Sequence, residues 1–174
     1  VSDLEALAPY PGDAPLTFRR MGTERGWAIH YGGLAAYRTD AGPWFRAMEL
    51  SPEYDADVLA KYDDGSFASL EALMPDLMAV DFDAVTQSPV PVFQLLGRKD
   101  LTTPPAQVEA WLDGLEAPAK GSWWFEHSAH LAIMEEPGTA LVTLVSCIRP
   151  YATEPDLAAA QAKTRACNGG TPAP

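Results

Sequence analysis

The stretch FEHSAHL, Phe125–Leu131, runs directly into AIMEEP and gathers two of the chain's three histidines, His127 and His130, between Glu126 and the pair Glu135 and Glu136. Histidine is the side chain whose unperturbed proton affinity suits it to take and return a proton near neutral pH. An imidazole used in that way needs a carboxylate to hold its tautomer and stabilise the imidazolium. Asp100 stands where such a carboxylate belongs, just after the apolar run VPVFQLLG, as His130 stands just after SWWF. In an open α/β sheet, functional groups lie in the loops at the carboxyl ends of strands. Asp100 and His130 therefore read as an acid-then-base pair that activates a nucleophile. Taken singly, each has a plainer reading, Asp100 as a turn residue ahead of a helix and His130 as a loop histidine. His127 and His130, three apart, could ligate a metal with Glu126 or Glu135, but no H-E-x-x-H pattern accompanies them and no metal site is expected. Glu135 and Glu136 read as charge at a helix N-terminus.

The elements that must position these residues are legible from periodicity and turn signals. VPVFQLLG, bounded by Pro and Gly, suits a strand buried on both faces. AQVEAWLDGLEA carries Val108, Trp111, Leu112 and Leu115 at amphipathic-helix spacing, with Thr103 as its N-cap and Pro104 at its first position. GSWWFEH is a second short strand. EEPGTALVTLVSCIRPY is a second helix, with Leu141, Leu144, Val145 and Ile148 on its apolar face. Strand, helix, strand, helix over residues 89–149 is the pattern of a parallel sheet with covering helices. Residues 1–87 read instead as short helices. Ser2 and Glu5 form a capping box, SDLEAL stops at YPGDAP, and LTFRRMGTERGWAIHYGG stops at Gly32-Gly33. GPWFRAMEL and DADVLAKY are single turns, and FASLEALMPDLMAV is a helix kinked or divided at Pro75. Residues 152–174 read as a frayed Ala-rich helix and a disordered end.

PVPVFQLLGRKDLTTPP, then WFEHSAHLAIMEEP about thirty residues on, resembles the closing segment of the α/β-hydrolases, in particular the proline iminopeptidase-like branch. Members of that family end a core strand with Gly-Arg-x-Asp and carry Ser-Ala-His before Glu-Glu-Pro at the next strand. The resemblance spans roughly residues 1–150. It implies a partial α/β-hydrolase fold, an α/β chain with a helical lid (1–87) followed by the last two βα units of a parallel sheet (88–151). It makes Asp100 the triad acid and His130 the triad base, and leaves His127 off the catalytic position. The lid aromatics Trp27, Tyr31, Trp44 and Phe45 then become candidates for lining an apolar substrate pocket, with plain lid packing as their other reading. The Trp-rich stretch ending in Glu that serves amine recognition in that branch is not clearly present; GPWFRAMEL, with Trp44 and Glu49, is a loose match.

A triad also needs a serine on a strand-to-helix elbow, Gly-x-Ser-x-Gly, and an oxyanion loop. No serine or cysteine of the 174 residues has that setting. The expectation is the C-terminal portion of a serine hydrolase of aminopeptidase or esterase type. Its substrate is a small peptide or ester, it needs no cofactor, and its partner is the N-terminal half of the core. The opening VSDLEALAPYPG, which reads as mid-helix, points the same way. The alternatives are a non-catalytic interaction subunit that binds such a half, and related epoxide or C–C bond hydrolysis. A formal charge of −12 with no basic patch excludes nucleic-acid binding, and no apolar run reaches the roughly 20 residues of a membrane span. Cys147 reads as a small packed hydrophobe, and the spacing of Cys147 and Cys167 leaves their pairing open. The compartment, cytoplasmic or exported, is open too.

Overall fold

The computed structural model describes residues 2–10, 12, 16–164 and 167. It is a mixed α/β structure whose chain divides into two compact units, one made of residues up to Tyr31 with Arg38–Asp81, the other of Gly32–Tyr37 with Phe82 onward.

The first unit is helical. Helix α1 (Ser2–Glu5) begins at Ser2 itself. Helix α2 (Phe18–His30) is capped by Thr17, whose hydroxyl accepts the Arg20 amide, and it ends ahead of Gly32, which takes a positive φ of 77°. Helix α3 (Gly42–Phe45) passes into a 3₁₀ stretch, Arg46–Leu50. Helix α4 (Ala56–Ala79) is capped by Asp55 and is continuous through both of the segments expected to be separate. Pro75 does not divide it. A proline deletes only one hydrogen bond to the turn before it, and with the helix ending at Ala79 only one further turn depends on that region. Phe18 meets Phe67 edge-on at 5.3 Å, joining α2 to α4.

The second unit is built on two parallel strands, β1 (Val92–Gly97) and β2 (Lys120–Phe125), in register from Val92↔Lys120 to Gly97↔Phe125. Helix α5 (Pro105–Gly114) connects them. It starts one residue later than expected. Pro104 precedes a second proline, which drives it out of helical geometry to ψ 119°, so Pro104 rather than Thr103 is the cap. The period-2 alternation puts Phe93, Leu95, Trp123 and Phe125 on one face. They pack there against Ala132, Ala140 and Tyr151, which belong to α6 (Ala132–Glu135), α7 (Pro137–Val142) and α8 (Pro150–Thr153). The other face meets α5. There Trp124 donates its indole N–H to Glu109 at 3.0 Å, and Lys120 Nζ donates to the carbonyls of Leu112, Asp113 and Leu115 at the end of the helix at 2.7–2.9 Å.

The second helical segment departs from expectation in face and in form. It runs as α7, a π-helical stretch Thr143–Ile148, and α8. Its buried positions are Ala140, Thr143, Cys147 and Pro150. Leu141, Leu144 and Val145, expected to face the core, are 63, 40 and 46 % exposed. The tail differs as well. Helix α9 (Leu157–Thr164) buries Ala160, ties Lys163 to Glu154, and leads to a Cys147–Cys167 disulfide with Cα atoms 5.8 Å apart. Cys147 is thus a bridged cysteine rather than a free packing residue. Small residues on the inward side and a covalent link at Cys147 let the chain approach the sheet closely along the less apolar face. The rest of the expected disordered end lies outside the described residues. No helix among those residues is long and apolar enough to cross a membrane.

Phe125 is fully buried at the centre of the small core. Phe125→Ala should cost about 3–5 kcal/mol, the range for emptying an aromatic site, read as a lower urea midpoint with an unchanged slope.

Candidate functional site

Both candidate residues sit at the carboxyl ends of neighbouring parallel strands, and the structure brings them into contact. His130 Nδ1 lies 3.0 Å from Asp100 Oδ2. The imidazole is 38 % exposed and the carboxylate 11 %. Asp100 is held from its other oxygen: Oδ1 accepts the backbone amides of Thr102 at 2.7 Å and Thr103 at 2.8 Å. This is an Asx-type turn, in which a short carboxylate folds the following backbone around itself. It fixes the carboxylate plane and leaves Oδ2 for the imidazole. With Nδ1 committed to Asp100, Nε2 is the nitrogen available for proton transfer. No serine or cysteine among the described residues hydrogen-bonds the His130 ring.

The close approach of the two loops depends on Gly97, the last residue of β1. A Cβ there would run into the carbonyl of Ala129. The segment Gly32–Tyr37 crosses both loops as a strap. Gly33 O accepts the Leu101 amide at 3.2 Å, and Leu34 O accepts the Leu131 amide at 3.1 Å. Gly33 permits this because a Cβ would meet the Leu101 side chain. Tyr37 closes the strap with φ 61°, a backbone region that costs a non-glycine residue roughly 1–2 kcal/mol, and its ring carries Lys99 Nζ at 4.7 Å.

Glu135 and Glu136 are more than charge at a helix start. Glu135 accepts the Ala36 amide on Oε1 at 2.6 Å and the Ala129 amide on Oε2 at 2.8 Å. Glu136 Oε1 accepts the His127 amide at 3.0 Å and the hydroxyl of fully buried Ser128 at 2.6 Å. His127 contributes that backbone N–H. Glu126 points elsewhere, pairing with Arg98 through two hydrogen bonds of 2.6 and 3.0 Å while the guanidinium stacks 3.6 Å over Trp124. No group of three or more metal-ligating side chains occurs among the described residues.

The four candidate pocket aromatics all fall in the helical unit, whereas Asp100 and His130 fall in the sheet unit. Trp27 and Tyr31 stack at 5.8 Å, with the His30 ring edge-on to both. Trp44 lies under Arg38 at 5.9 Å, with its indole N–H buried and without a hydrogen-bond partner among the described residues. Phe45 is 54 % exposed. One open groove of the sheet unit lies at the opposite, amino ends of the strands, lined by Gln87–Pro89 and Glu116–Pro118.

The strap and the two glutamates are the features that sequence reasoning missed. The double glycine at 32–33 and the pair Glu135-Glu136 were their available signals, but each needed the partner segment, about a hundred residues away, to be interpreted.

The Arg98 hydrogen bond and charge hold the Glu126 carboxyl below the usual carboxylate range. A folded value below the unfolded one stabilises above the unfolded pKa and is lost as pH falls through the folded value. Arg98→Gln should therefore raise the Glu126 midpoint in a carboxyl-carbon NMR titration and remove that acid-side dependence. It should leave the Asp100–His130 contact intact. Compared with protein-family models, with curated proteins and with solved structures, the chain matches none.

Proposed function

We propose that Asp100 and His130 are the acid and base of a serine hydrolase of the α/β-hydrolase kind, an aminopeptidase or esterase acting on small peptides or esters. The observation that carries this reading is the 3.0 Å contact between Asp100 and His130 Nδ1 at the ends of adjacent parallel strands. The chemistry is acyl transfer. His130 Nε2 removes the proton of a serine hydroxyl as its oxygen attacks the substrate carbonyl. His130 then returns the proton to the leaving amine or alkoxide, and a water repeats the sequence to release the acid. Asp100 holds the tautomer that leaves Nε2 unprotonated and stabilises the imidazolium between the two transfers. The serine and the donors for the oxyanion come from polypeptide outside these 174 residues, because no serine here has an elbow setting.

A second reading draws on a different observation. Val92 donates its amide to Ala119, just ahead of β2, and Arg98 donates to Phe125, so the period-2 backbone turns the amides of Phe93, Leu95 and Gly97 and the carbonyls of Phe93 and Leu95 to the opposite edge of β1. An apolar edge without charge or internal proline is a ready template for another strand. On that reading the chain is an interaction subunit that joins the amino-terminal half of a hydrolase core without catalysing anything itself.

The test is a fluorophosphonate probe with p-nitrophenyl ester and prolyl-naphthylamide turnover. The chain alone should neither label nor turn over substrate. Joined to an amino-terminal segment carrying Gly-x-Ser-x-Gly, it should do both, and Asp100→Asn should lower kcat on the order of 10⁴-fold. Labelling of the isolated chain would overturn the proposal. An active assembly indifferent to Asp100→Asn and His130→Ala would favour the interaction subunit.

A further inference from the structure

We infer that Glu135 is a positioning residue for His130, using its two carboxylate oxygens to fasten the histidine loop to the strap Gly32–Tyr37. This rests on the reading of Asp100 and His130 as acid and base. Oε2 takes the amide of Ala129, the residue next to His130, and Oε1 takes the amide of Ala36 in the strap. Ala129 is fully buried and Ala36 nearly so, so neither amide can turn to water if its acceptor is lost. The strap also accepts the amides of Leu101 and Leu131, the residues that follow Asp100 and His130. Glu135 thereby closes a circuit: strap to Asp100 loop, Asp100 to His130, His130 loop to Glu135, Glu135 back to the strap. Shifting Ala129 shifts the Cα from which the imidazole reaches Asp100.

The way each glutamate uses its oxygens separates this role from that of its neighbour. Glu135 spends one oxygen on each of two N–H donors. Glutamine at that position offers one oxygen and one NH₂, which would set a donor against a donor. Glu136 serves both the His127 amide and the Ser128 hydroxyl from Oε1 alone. Glutamine at 136 can keep both bonds. The two substitutions remove the same charge at adjacent positions, so Glu136→Gln controls for electrostatics.

The measurement is the Nδ1–H proton resonance of His130 in this chain, assigned with His30→Gln and His127→Gln, since there are three histidines in all. Wild type should show a far-downfield, slowly exchanging signal, and Asp100→Asn should abolish it. Glu135→Gln should speed its exchange roughly tenfold or more, the scale set by one unsatisfied buried donor, while Glu136→Gln should leave it near wild type. If Asp100→Asn has no effect, or wild type lacks the signal, the acid–base pair itself is wrong. If Asp100→Asn abolishes the signal and Glu135→Gln spares it, the pair stands and the inference about Glu135 fails. Equal loss in both glutamine variants also overturns it, because charge alone would then account for the effect. Should Glu135→Gln not fold, wild type still decides. Couplings across the hydrogen bonds must link both the Ala36 and the Ala129 amide nitrogens to the Glu135 carboxyl carbon, and absence of either refutes the clamp.

Discussion

Backbone amides in irregular loops need acceptors, and at the carboxyl ends of β1 and β2 three carboxylates supply them. Asp100 takes the amides of Thr102 and Thr103, Glu135 those of Ala36 and Ala129, and Glu136 that of His127 together with the Ser128 hydroxyl. A buried N–H left without a partner costs about 1–3 kcal/mol. The amides of Ala36 in the strap and Ala129 in the histidine loop are of this buried kind. On the reading proposed above, the meeting of Asp100 with His130 at the carboxyl ends of β1 and β2 depends on that arrangement. Glu135 and Glu136, which read in the sequence as charge at a helix N-terminus, are here internal fastenings.

Two kinds of information decide how much of this can be read from sequence. Local information was sufficient for the strands. VFQLLG and KGSWWF are β-rich apolar runs between turn signals, and both become strands. It was sufficient for the order of Asp100 and His130 at successive strand ends, which in a parallel sheet makes them neighbours. Non-local information was needed for the fastenings. The Glu135–Ala36 bond spans 99 residues, and the strap lies within a stretch that reads as helical lid. A carboxylate beside a helix start carries no mark that distinguishes a dipole partner from an acceptor for a distant amide.

The helical stripe at Leu141, Leu144 and Val145 failed for another reason. Amphipathic reasoning supposes that the apolar face is the one facing the core. Here the inward positions are Ala140, Thr143, Cys147 and Pro150, small enough to let the segment lie close to Phe125. The disulfide to Cys167 then fastens the same side. Close approach and a covalent bond outweighed the periodicity, and the larger apolar side chains were left facing out.

That inversion bears on how the sheet unit is stabilised. Among the described residues its largest fully buried side chains are Phe125 and Ser128, and alanines make up much of the remaining core. Alanine removes little apolar surface from water, and at about 25 cal/mol per Å² the sheet's small core gains correspondingly little. A two-stranded parallel sheet is not a self-sufficient unit, since among the described residues each strand keeps one edge without a ladder. The disulfide and the carboxylate fastenings compensate locally, by restricting the chain and satisfying loop amides, but they cover neither the β1 edge nor the outward apolar stripe. On the proposed reading these two features have one explanation. A further parallel strand beside β1 would satisfy the amides of Phe93, Leu95 and Gly97, and its own flanking helices could cover apolar surface that α7 leaves exposed. The acid and base would then stand at the margin of a larger sheet, on the strand ends that also face the incoming nucleophile.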